Sequence, residues 1–229
     1  MSLNKTSQLR CIWSAVIGGI VIGIGFFPLA HFLPPHSPSS SAQEIAALYQ
    51  ENLFGIRLGM VAMQIGSAMI FPLLAVIALQ IRRIGPDTKA LAYTQMLAGI
   101  INFFFFLLPP LIWTVAAYRP ERSPEITQLM NDFAWIAFVM TVSPAAMQNI
   151  CIAMATFQDK IDRPVYPRWV AFFNILASFL FITDLLVTFF KTGPFAYNGA
   201  ISFYVPLIVF STWLMVMIVM SYRAVQQME

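Results

Sequence analysis

Charge is what this chain has least of. Asp, Glu, Lys and Arg make up 10% of its 229 residues, against about 25% in a soluble domain. Thirteen basic and ten acidic residues cannot cover the surface of a water-soluble globule of this size. Histidine is limited to His31 and His36, and cysteine to Cys11 and Cys151. That excludes a disulfide framework and any CxxC metal site. No cofactor is identified: a haem or metal would have to use His31 or His36, and an interfacial histidine is the commoner case. GxxxxGK[ST], HExxH and GxSxG are absent, as are a carboxylate-rich helix pair and a selectivity-filter sequence. ATP-driven transport within the chain, zinc proteolysis and serine hydrolysis are therefore disfavoured. The pI near 9.0 does not imply nucleic acid, because the basic residues lie in short loops beside apolar runs.

Apolar sequence is what remains. Hydrophobic residues make up 59% of the chain, and mean hydropathy is +0.75. Six runs reach the roughly 20 residues needed to cross a bilayer: 12–33, 54–81, 90–118, 129–157, 168–190 and 200–222. They are continuous, whereas barrel strands alternate over about 10 residues. Lys5 and Arg10 precede the first run, as in a signal peptide, but the run outlasts a signal's apolar core of about 7–15 residues. The expected fold is all-α: a polytopic membrane protein, residues 1–229 forming one six-helix transmembrane bundle.

Orientation follows from the basic residues. With six spans, Lys5, Arg10, Arg82, Arg83, Lys89, Lys160, Arg163, Arg168 and Arg223 share one side, and Arg57, Arg119, Arg122 and Lys191 the other. That places both termini in the cytoplasm and the protein in the plasma (inner) membrane. The five tryptophans fall mostly near span ends, as interfacial anchors do. A weak repeat also shows. Residues 44–51 and 125–132 match in pattern at an offset of 81, which also pairs Gly18 with Gly99 and Pro28 with Pro109. The reading is duplicated helical hairpins; the alternative is chance agreement between two amphipathic helix starts. Ser41 with Glu44 has capping-box spacing, and Ser123 precedes Pro124. Each outer loop should therefore open with a turn or two of surface helix.

Polar residues inside spans carry the functional signal, since hydrocarbon does not tolerate them idly. They fall on one stripe per helix: Arg57, Met60, Gln64, Ser67 and Phe71 on the second; Gln95, Ala98, Asn102, Phe105 and Pro109 on the third. The fourth gives Asp132, Trp135, Val139, Val142, Ala146 and Asn149, and the fifth Asn174, Ala177, Phe181, Asp184, Thr188 and Lys191. Asp184 stands out, about 9 Å inside the outer end of its helix at 1.5 Å per residue. An acid there costs about 2–3 kcal/mol, so it must be paired, hydrated or protonated, and Arg57 is the expected partner, with Lys191 second. Pro28, Pro72, Pro109-Pro110, Pro144 and Pro206 should kink five helices. Gly19 and Gly23 form a GxxxG, a mark of close helix contact.

Together these features predict a protein that binds or translocates an apolar or amphipathic small molecule. Its cavity would open outward between helices 2, 4 and 5, walled by Arg57, Met60, Gln64, Phe71, Asp132, Trp135, Val139, Phe181 and Asp184. Two alternatives stand beside it. One is an intramembrane isomerase or cyclase using Asp184 or Asp132 as proton donor on a lipid-like substrate. The other is a structural subunit of a larger membrane complex. The partners implied are the lipid bilayer, a hydrophobic small molecule, and a second copy or a membrane-complex subunit; no nucleic acid.

Overall fold

The computed structural model describes residues 3–104 and 106–228. Phe105, placed above on the inward stripe of the third helix, lies outside the described residues. Six helical stretches are long and apolar enough to span a membrane: Asn4–Leu29, Leu53–Arg82, Pro86–Tyr118, Pro124–Gln158, Arg168–Phe189 and Ala200–Gln226. We call them spans 1 to 6. Each overlaps its expected run, but span 1 begins eight residues earlier than the hydropathy suggested and span 4 five residues earlier. Polar first turns hide helix starts from a hydropathy reading.

Most spans are interrupted, and proline is the reason. It lacks an N–H and clashes with the carbonyl four residues back, so a helix must end before it and can restart at it. Span 1 is α1 (Leu3–Ile24), which ends in a π-helical turn, Gly25–Leu29, containing Pro28. After the loop, the amphipathic α2 (Ala42–Glu51) is capped by Ser41 and Glu44 in the full reciprocal box. Span 2 is α3 (Leu53–Ala68) and α4 (Phe71–Arg82), restarting at Pro72. Span 3 is α5 (Lys89–Phe104) and α6 (Leu108–Tyr118), restarting at Pro109-Pro110. Span 4 is α7 (Pro124–Met140) and α8 (Ser143–Gln158), restarting at Pro144. Span 5 is α9 (Arg168–Ile182), which tightens into a 3₁₀ segment, Thr183–Phe189. Span 6 opens as a π turn, Ala200–Tyr204, before Pro206 starts α10 (Val205–Gln226). The expected kinks are thus helix breaks.

Two local expectations need correction. Ser123 stands at the N-cap of α7, but its side chain makes no capping bond, and α7 runs straight into span 4. Among the described residues, α2 alone is a helix outside the six spans. The tryptophans divide as well. Trp13 and Trp169 are exposed, whereas Trp113, Trp135 and Trp213 are buried in the core.

Each span packs on its sequence neighbour, and span 6 closes back onto span 1. Spans 1 and 2 meet through two reciprocal glycine pairs. A methyl group on Gly18 would lie 2.6 Å from the Gly66 carbonyl oxygen, and one on Gly66 2.7 Å from that of Gly18. Gly25 and Gly59 meet in the same way, at 2.6 and 2.5 Å. These glycines let two backbones touch. The GxxxG pair does not: Gly19 faces a leucine side chain of span 6, and Gly23 approaches only Phe27. In the next hairpin Gly99 meets the side-chain amide of Gln148. Gly99 lies 81 residues from Gly18, and Gln148 lies 82 from Gly66.

The polar stripes face inward except at their outer ends, where Arg57, Thr188 and Lys191 are exposed. Gln95, Asn102, Asn149, Asn174 and Asp184 are all buried, and Val139, Val142 and Ala146 stay buried across the Pro144 break. Large apolar side chains such as Phe54, Phe179, Ile208 and Met215 cover the outside.

Candidate functional site

Where a break frees carbonyls, a polar side chain from the neighbouring span reaches over to them. Ser14 of span 1 donates to the Met69 carbonyl in the span 2 break, at 2.8 Å. Span 2 does the same for span 3: Ser67 donates to the Phe106 carbonyl at 3.2 Å and Gln64 Nε2 to the Leu107 carbonyl at 2.6 Å. The Phe106 carbonyl is the one Pro110 leaves free. At the end of span 3, Arg57 donates to the carbonyls of Ala117 and Tyr118 at 2.8 to 3.1 Å. An unmet carbonyl in hydrocarbon is costly, so these residues are spent on the backbone.

This overturns the pairing expected for Asp184. Arg57 is exposed and turned toward span 3, not toward span 5. The α3 half of span 2, which carries Arg57, packs on spans 1 and 3. Four other residues of the expected site also leave it. Met60 is packed in the aromatic core of the end away from the termini, and Phe71 against the core of the other half. Trp135 sits inside that aromatic core, stacked on Tyr197 with ring centroids 5.4 Å apart and touching His36. Asp132 is half-buried at the end of the bundle, within electrostatic reach of Lys191.

Three predicted residues do come together. Val139, Phe181 and Asp184 line a chamber of about 80 Å³ between spans 3, 4, 5 and 6. Span 3 supplies Asn102 and Phe106; span 4 adds Phe138, Thr141, Val142 and Ala145. Span 6 contributes Ser202, Phe203, Pro206, Leu207 and Phe210. The chamber exists because the helices are interrupted here. Residues 138–142 straddle the α7–α8 break, Asp184 rides on the 3₁₀ segment, and Ser202 on a π turn.

Asp184 is 1% exposed, and its Oδ1 has no hydrogen-bond partner. No basic side chain lines the chamber. Such a carboxyl must hold a proton or meet a donor from outside the chain. Thr141 and Ser202 have already given their hydroxyl protons to the carbonyls of Ala137 and Phe195, at 3.0 and 3.1 Å. Both line the chamber, and each hydroxyl oxygen keeps its acceptor capacity. One turn beyond Ala145, the buried Gln148 Nε2 and Asn149 Nδ2 also lack partners. Sequence reasoning missed the span 6 wall altogether, since only Ser202 and Pro206 mark it.

Four of the chamber's residues, Phe106, Phe138, Leu207 and Phe210, also line a groove of about 340 Å³ between spans 1 and 6. Its rim residues Ile20 and Met215 are 58% and 68% exposed on the apolar outside. Phe106 stacks on Phe210 with centroids 4.7 Å apart, and on Phe138 edge-on at 5.4 Å. These rings divide groove from chamber.

A second polar network ties down the loop after span 1. Tyr49 of α2 donates to Asn131 Oδ1 at 3.1 Å, and Asn131 Nδ2 lies 2.7 Å from His36 Nε2. His36 accepts there, as a neutral imidazole does. Burial between Trp135, Phe32 and Tyr197 lowers it from 6.5 to about 4. His31 is exposed, in the left-handed region at φ 56°. Among the described residues no three His, Cys, Asp or Glu gather as metal ligands. Comparison with protein-family models, curated proteins and solved structures finds no match for this chain.

Proposed function

We propose that the chain is an integral protein of the plasma (inner) membrane, with both termini cytoplasmic, that binds and carries an amphipathic small molecule in the Asp184 chamber. The observation that carries this reading is an unpartnered buried carboxyl facing an otherwise apolar cavity. Ligand sites have that make-up: mostly apolar walls with a few placed polar groups. The interrupted helices around it support transport, since carriers build sites from broken helices at the interface of repeats. Spans 1–2 and 3–4 are read here as copies of one hairpin. Pro28 and Pro109 sit at matching interruptions, and Gly18 and Gly99 at matching close contacts. The enzyme reading gains less, because Asp184 has no second ionisable group beside it in the chamber to complete acid–base chemistry.

Two experiments test this. Reporter fusions after Pro86, Arg122 and Phe195 should read inside, outside and outside; the reverse pattern overturns the orientation. Melting temperature should rise with at least one compound from a panel of amphiphiles, terpenoids, sterols and aromatics. Ala145→Phe, which fills the chamber, should abolish that rise. If no compound stabilises the wild type, the binding reading falls.

A further inference from the structure

The GxxxG of span 1 is not used for close helix packing. Gly19 meets only the end of Leu214 at 3.2 Å, and Gly23 only the Phe27 ring at 3.9 Å. What the two glycines do is remove side chains from one wall of the groove between spans 1 and 6. The groove is deep because they are there. It is lined almost wholly by carbon, opens sideways where lipid would lie, and runs to the Phe106, Phe138 and Phe210 rings behind which Asp184 stands.

The chamber beyond the rings has a different chemistry. It offers a carboxyl without a partner, the lone pairs of Thr141 and Ser202, and no basic group. Phe106, Phe138, Phe181, Phe203 and Phe210 surround it. Aromatic faces with one carboxylate are the surroundings that attract an organic cation. An anion would find the Asn102 amide as a donor but would also face the Asp184 carboxyl, with no basic side chain to offset it. An alcohol could share one hydrogen bond with the protonated carboxyl, whereas only a cation pairs with its ionised form.

We infer that the occupant is a cationic amphiphile. Its ammonium head sits in the Asp184 chamber and its aliphatic tail in the groove between spans 1 and 6, and it enters from the bilayer past Phe106, Phe138 and Phe210. This rests on the chamber being a binding site, as proposed above, and adds the charge of the head, the place of the tail and the sideways route. The two ends of the occupant are fixed by separate features, so each can be removed without the other.

The test uses the full chain in phosphatidylcholine nanodiscs, with dodecylamine, dodecanol and propylamine as probes and both affinity and melting temperature as readouts. Dodecylamine should bind the wild type, and dodecanol and propylamine should each bind about tenfold more weakly or worse. Asp184→Asn should abolish the preference for amine over alcohol. Gly23→Leu, which fills the groove, should weaken dodecylamine by about tenfold and leave propylamine unchanged. Ala145→Lys supplies an internal ammonium beside Asp184 and should exclude dodecylamine; it serves if Asp184→Asn does not fold. Equal binding of amine and alcohol, with Asp184→Asn indifferent, overturns the cationic head while the chamber stands as a binding site. Loss in Asp184→Asn with Gly23→Leu indifferent overturns the tail placement. Failure of all three probes, together with the wider panel, overturns both readings.

Discussion

The seam between spans 2 and 3 and the interior enclosed by spans 3 to 6 are built from the same kinds of residue, with opposite outcomes. In the seam, Arg57, Gln64 and Ser67 each end on a carbonyl at a helix break or terminus. In the interior, Asp184, Gln148 and Asn149 keep buried polar atoms without partners. A polar side chain in a membrane helix is therefore no mark of a site until the neighbouring backbone has been accounted for. Broken helices demand donors, and the nearest polar residues are consumed by them. The leftover is the signal.

The largest expected effect tests a backbone contact between spans 1 and 2 against the groove. Gly59→Ala places a methyl group against the Gly25 carbonyl and should cost about 2–3 kcal/mol, read as a lower melting temperature. Gly23→Ala, on the other glycine motif, should stay within about 0.5 kcal/mol of wild type. Equal costs would erase the distinction between the contact glycines and the groove glycines.

Next is pH. His36 is held neutral, at about 4 against an ordinary 6.5, so folding favours its unprotonated form. Stability should be flat above about pH 6.5, then fall as pH drops toward 4, by about 2 kcal/mol. His36→Gln should flatten that dependence; an unchanged profile would remove His36 as its source.

The seam itself comes third. Gln64→Leu leaves the Leu107 carbonyl without its side-chain donor and should cost about 1 kcal/mol. A neutral result would show that the break is satisfied in some other way. Smallest is Asp184→Asn without ligand. No pair is broken, so stability should stay within about 0.5 kcal/mol of wild type or rise. A loss above about 2 kcal/mol would mean that Asp184 has a structural partner after all.

The reach of the sequence is clearest at Gln64 and Asp184. Both were legible as inward-facing, because period fixes which face of a helix is buried. Which helix that face meets is a tertiary fact, absent from any periodicity, and so Arg57 was paired with the wrong span. Pro72, Pro109 and Pro144 announced distortion, yet not that each would restart a helix and draw in donors from next door. Gly18 was marked only by its repeat partner Gly99, and Gly25 not at all, beside the better-known spacing of Gly19 and Gly23. Seven residues apart, they mark two full helical turns, a repeat that only an antiparallel partner with the same interval makes meaningful. Span 6 carried too few polar residues to show a stripe, and with it five of the fourteen residues of the chamber wall went unread.

The break in span 4 also has an electrostatic consequence. An uninterrupted helix gathers its partial charges at its two ends, about half an elementary charge each, far from the middle. By ending α7 at Met140 and starting α8 at Ser143, Pro144 brings a negative and a positive helix end to the wall of the chamber. The backbone thus lays a fixed polarity across the space, whatever the protonation of Asp184. A charged head-group bound there would be turned one way rather than the other by peptide dipoles that no side-chain truncation removes. Only restoring helix continuity through Pro144 would erase that bias.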